Sequence, residues 1–138
     1  MKKVWPILML LGSLLAACAP QQASLTGSWT LTAYGPQSST IPAVADSQAG
    51  LTFNEDGSVT GNSGCNGLGG TYEVDGDQIT FSPFVSTLMA CDDPIMSQEG
   101  AMHQVLNGTV SYAIDGDVLT LTNDSMVLVF TSASNPYP

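Results

Sequence analysis

Apolar and polar positions follow two different rhythms along the chain. From Val4 to Ala17 apolar residues run on, broken only by Pro6, Gly12 and Ser13. From Leu25 to Ser132 they come in short alternations. Trp29, Leu31 and Ala33 alternate with Thr30 and Thr32, the period of a strand with one buried face. Leu51–Asn54 and Ser58–Gly61 flank Glu55-Asp56-Gly57, a hairpin signature. Tyr72–Phe81 (YEVDGDQITF) recurs as Tyr112–Leu121 (YAIDGDVLTL), and each copy reads strand, Asp-Gly turn, strand. Met126–Thr131 is a last strand with Leu128 and Phe130 on one face. Gly35–Gly50 reads as a long loop, and glycine-rich Gly61–Gly70 as a loop or an irregular, bulged strand. One stretch has helical period. Asp92 or Asp93 can cap its start, Pro94 suits its first position, and Asn107-Gly108 suits its end. Ile95, Met102, Val105 and Leu106 form its apolar stripe. The pattern predicts an α+β fold: a small antiparallel rolled sheet or partly open barrel with one packed helix.

The first rhythm has a different meaning. Lys2 and Lys3 precede the apolar run, and the run is shorter than the roughly 20 residues a membrane-spanning helix needs. Charge followed by a short apolar run reads as a secretory signal peptide over residues 1–17. It ends in Leu15-Ala16-Ala17-Cys18, which resembles the lipobox of bacterial lipoproteins. Cys18 is therefore the expected lipidation site, and residues 18–24 the lipidated N-terminus and tether. Residues 25–132 form the domain and 133–138 a flexible tail. Ala19 stands where an Asp would direct retention at the inner membrane. The expected address is the cell envelope, lipid-anchored at the outer membrane and facing the periplasm.

Charge narrows the partners. Lys2 and Lys3 are the only basic residues besides His103, against twelve Asp or Glu. A domain without Lys or Arg cannot neutralise phosphates, so nucleic acid is not an expected partner. It also lacks the clamp that substrate carboxylates or phosphates need. The acidity serves solubility, or else favours a cationic partner or divalent cations.

Candidate chemistry is sparse. With Cys18 lipidated, Cys65 and Cys91 remain. In an oxidising compartment such a pair is most simply a disulfide, and two buried free thiols are the alternative. A metal site ranks third, because the spacing is no zinc motif and only His103 adds a nitrogen. Asp75/Asp77 and Asp115/Asp117 are paired carboxylates, but each pair brackets a Gly as tight turns require. No nucleophile elbow is present, no catalytic residue is assigned, and no cofactor or metal is expected.

Gly27-Ser28-Trp29, Gly64-Cys65-Asn66 with Gly70 and Tyr72, and Thr87-Leu88-Met89-Ala90-Cys91 followed by Glu99 together resemble the META domain family. That family includes the HslJ-like heat-shock lipoproteins. Met102 departs from the family's usual aromatic residue, and the lack of basic residues is a second departure. The resemblance implies a small α+β envelope domain linked to heat induction or novobiocin resistance, with no catalytic mechanism to carry over. It makes Trp29, Gly64, Asn66, Gly70, Tyr72, Met89, Ala90 and Glu99 structural motif residues. Gly64 and Gly70 would take unusual backbone geometry, with Cys65 and Cys91 stapled across it. Glu99 would bond to the GCN loop or cap the helix. The expected function is a monomeric, non-enzymatic stress- or resistance-associated binding module with an unidentified envelope partner. The alternative is a carrier of a small apolar ligand, held among Trp29, Phe53, Tyr72, Phe81 and Met102.

Overall fold

The alternation of apolar and polar residues becomes an alternation of inside and outside. In the computed structural model, which describes residues 23–133, Trp29 and Leu31 point inward while Ser28, Thr30 and Thr32 face solvent. The expected signal peptide, Cys18, most of the tether and the tail beyond Ala133 lie outside the described residues. The strands are β1 Gly27–Pro36, β2 Ile41–Pro42, β3 Gly50–Phe53, β4 Ser58–Asn62 and β5 Gly67–Asp75. They continue as β6 Gln78–Phe81, β7 Val85–Ser86, β8 Gly108–Asp115, β9 Val118–Thr122 and β10 Met126–Ser132. The helix, α1, spans Asp93–Val105 between β7 and β8.

Eight strands form a closed ring in the order β10-β9-β8-β6-β5-β4-β3-β1, every pairing antiparallel, and β1 returns to β10. The expected partly open barrel is thus corrected to a closed one. Seven residue pairs, from Trp29↔Ser132 to Pro36↔Met126, seal it, with a bulge between Leu31 and Ala33. Closure follows from length. β1 is long enough to pair with β3 at its start and with β10 along most of its length. The two shortest strands lie outside the ring: β2 pairs with β1, and β7 with the start of β5. The segment expected as loop over Gly35–Gly50 therefore contains β2, and Gly61–Gly70 is mostly β4 and β5.

The core is the barrel interior plus one face of α1. Val59, Ile79, Leu119, Leu121, Leu128 and Phe130 are fully enclosed, as are Met102 and Val105 from the helix. Each such burial contributes about 1.5–3 kcal/mol. Met102, which departs from the aromatic residue of the resemblance, is fully enclosed, and an unbranched thioether adapts to such a space. Of the expected helix stripe, Ile95 is only half-buried, and Gln98, Glu99 and Ala101 are buried instead. Asp92 occupies the N-cap, but its side chain makes no capping bond. Its carbonyl accepts from the Ile95 and Met96 amides instead, at 3.0 Å each.

The register gives the barrel two unlike ends. Gly27, Ser132 and the β3–β4, β5–β6 and β8–β9 turns lie toward one end. The Asp-Gly turns of the two echoed hairpins are here, with Gly76 and Gly116 at φ 61° and 60°. At the other end lie α1, the β4–β5 connection, the β9–β10 turn and the segment leading from β6 through β7.

Candidate functional site

The helix end of the barrel holds the buried polar side chains of the described residues. Ser63, Asn66, Gln98 and Glu99 are all at least nine-tenths buried, in a domain without Lys or Arg. Ser63 and Asn66 bracket Gly64-Cys65 in the turn between β4 and β5, where the Ser63 amide donates to the Asn66 carbonyl at 2.9 Å. Gly64 has φ 99°, and a Cβ there would stand 2.8 Å from Gln98 Nε2 and 2.9 Å from Ser47 Cβ. Only glycine fits both demands. Gly70, expected to share such geometry, is ordinary extended strand. Its missing side chain leaves room for the Phe84 ring, 3.5 Å from where a Cβ would be.

Glu99 reaches from α1 to this turn. Its carboxylate accepts from the Ser63 hydroxyl and from Asn66 Nδ2, the latter at 3.0 and 2.9 Å to its two oxygens. Of the two roles expected for it, bonding to the GCN loop is the one the structure shows. Gln98, its neighbour, bonds in three directions. Its Oε1 accepts from the Val44 amide at 2.7 Å, and its Nε2 donates to the Ser63 carbonyl at 2.8 Å and to Ser47 Oγ at 3.2 Å. Two adjacent helix residues thereby tie down the loops on both sides. Among the described residues no buried side-chain nitrogen or oxygen lacks a partner.

Asn66 carries the tie outward to the T-x-MAC segment. Its Oδ1 accepts from the Met89 amide at 2.7 Å and from Thr87 Oγ1 at 2.9 Å. Its Nδ2 donates to the Met89 carbonyl at 3.1 Å. Gly67 exchanges two further bonds with Thr87. Cys65 and Cys91 are joined in a disulfide with Cα atoms 6.0 Å apart. The backbone from Thr87 to Cys91 is therefore fixed at three points. Its apolar side chains nevertheless face water, Leu88 being 94% exposed and Met89 59%, and so does Val85 of β7 just before it, at 78%. Ala90 is exposed beside them.

The other motif residues serve the barrel. Trp29 is buried, and its indole N–H donates to the Leu25 carbonyl at 2.8 Å. Tyr72 is half-buried, meets Phe53 edge-on at 5.0 Å, and donates its hydroxyl to the Asn54 carbonyl. Trp29, Phe53, Phe81 and Met102, expected to line an apolar pocket, belong to one packed core cluster. A surface groove of about 700 Å³ is lined by polar residues such as Gln37, Gln78, Asn107, Thr109 and Asn123. Asp75, Asp77, Asp115 and Asp117 are exposed at hairpin turns. Among the described residues no three of His, Cys, Asp and Glu gather as a metal site. His103 is exposed in the last turn of α1.

Gln98 and Ser63 stand outside the motifs of the sequence. A signal for Gln98 existed. It lies three, four and seven positions before Ala101, Met102 and Val105, so it is a polar residue on the apolar stripe.

The sequence model of the META domain matches residues 22–135. No match was found among curated proteins. Solved structures share the fold. A protein from Burkholderia xenovorans, determined by NMR, superposes with a TM-score of 0.64 at 24% identity, over 78% of this chain and 82% of its own. A second NMR structure gives 0.63 at 16% identity, over 78% and 89%. A crystal structure of a DUF4847 family protein from Bacteroides vulgatus gives 0.56 at 18% identity, over 77% and 92%.

Proposed function

The chain belongs to the META domain family, and on that premise we propose that it is a non-enzymatic lipoprotein of the bacterial cell envelope. In this reading lipid on Cys18 anchors it at the outer membrane, facing the periplasm. The domain then acts as a binding module in heat or antibiotic stress. The observation that carries the reading is the contrast between Asn66 and Leu88. The side-chain amide of Asn66 holds the T-x-MAC segment through Thr87 and both backbone groups of Met89, while Leu88 beside it is almost wholly exposed. A scaffold that rigidly displays apolar side chains is suited to binding, since little ordering is left to be done on association. The buried polar cluster supports the same reading, because its groups are engaged with one another and with loop backbone.

Two measurements test it. Membrane fractionation of the wild type and Cys18→Ser should find the first with the outer membrane and the second soluble. Equal partitioning of the two would refute lipid anchoring. Native mass spectrometry of the chain purified from a periplasm, without reductant, should show bare protein. A retained apolar adduct would instead favour the carrier reading.

A further inference from the structure

Building on the binding-module reading, we propose that the Val85–Met89 segment docks onto a protein surface of one chemistry: an apolar patch flanked by Lys or Arg. Three observations select that occupant. The first is the segment itself. Val85, Leu88 and Met89 expose apolar side chains from a backbone held by Asn66, Gly67 and the Cys65–Cys91 bond. Rigid, exposed apolar residues with a polar border are the anatomy of an interface centre.

The second is charge. The border nearest in sequence is Asp92 and Asp93, both exposed, in a described domain with twelve acids and no Lys or Arg. A cationic partner gains at every approach, whereas a second copy meets like charge. An anionic bilayer is disfavoured for the same reason.

The third is position. Ala23, the first described residue, lines one groove with Val74, Asp77, Tyr112 and Ile114. Val74 is near one end of β5, and β7 pairs with Leu68 and Gly69 near the other. At the rise of an extended strand the separation is roughly 20 Å. A chain tethered through its N-terminus therefore presents Leu88 away from the anchoring surface, toward proteins rather than lipid.

The test uses the secreted chain with Cys18→Ser, so its outcome is independent of whether Cys18 carries lipid. The probe is a short amphipathic helical peptide with leucines on one face and lysines along both flanks. Binding should shift amide resonances of residues 84–93 and weaken with salt. Leu88→Ser should weaken it by about tenfold or more, and so should Val85→Ser. Val74→Ser, exposed at the opposite end, should not change it. A peptide with glutamates in place of the lysines should not bind. Unchanged affinity in Leu88→Ser, or shifts confined to the acidic hairpin turns, would overturn the proposal. So would insertion of Leu88 into phosphatidylglycerol vesicles, or self-association through this segment in sedimentation.

Discussion

Asn66 grips Met89 from both sides of its peptide unit, accepting from its amide at 2.7 Å and donating to its carbonyl at 3.1 Å. A side-chain amide thus does for Met89 what a neighbouring strand does for a residue in a sheet.

Asn66→Ala removes that grip and takes a donor from Glu99. The loss should lower stability by roughly 2–4 kcal/mol, the cost of leaving several buried groups unpaired. Urea unfolding measures it. Amide exchange should accelerate in residues 85–91 more than in β9 or β10, where the barrel ladder is intact.

Glu99→Gln keeps one acceptor but turns an amide N–H₂ toward donors, the Ser63 hydroxyl or Asn66 Nδ2. Destabilisation of about 1–3 kcal/mol is expected. Denaturant titration of Glu99→Gln with and without Ser63→Ala should show strongly non-additive losses. Additive losses would mean the contact contributes nothing.

Replacing Cys65 and Cys91 together by Ser removes a crosslink spanning a sequence separation of 26. The loop-closure relation gives a loss of about 3.5 kcal/mol. Thermal unfolding of oxidised and double-Ser chains checks it, and intact mass confirms that the oxidised chain lacks one pair of hydrogens.

Gly64→Ala sets a Cβ against Gln98 and Ser47 on a backbone at φ 99°. It should cost at least about 1 kcal/mol from the backbone alone. Gly69→Ala, where a Cβ meets open space, is the control and should stay close to wild type in the same melt.

The Ser58 hydroxyl and amide both donate to Asp56, which holds its carboxyl below the usual carboxylate range. A depressed folded-state value means the contribution is present above the unfolded value and fades as acid protonates the folded group. Carbon-detected NMR titration should find Asp56 titrating low, and Ser58→Ala should move it upward.

The strands were legible because their periodicity reports one buried face, and Trp29/Leu31 and Leu119/Leu121 carry that signal directly. Closure was not legible. Nothing in Met126–Ser132 states that its second edge meets β1, since pairing partners are chosen by tertiary geometry. The GCN and T-x-MAC motifs and Glu99 marked the polar cluster, and the cysteine count suggested the bond between Cys65 and Cys91. Gln98 was not legible, because a lone amide within a helix looks like surface until the loops it serves are in place. The capping role expected of Asp92 or Asp93 misjudged which atom satisfies the first turn: the Asp92 carbonyl does.

The seal between β1 and β10 also sets when the fold can exist. Its two halves come from opposite ends of the domain, and Ala133 still bonds back to Ser28 at 2.9 Å. A chain emerging in sequence has no first-strand partner of this kind until its last strand is free. Contacts so distant along the chain form slowly. The ring of strands therefore closes only once β10 is free to meet β1.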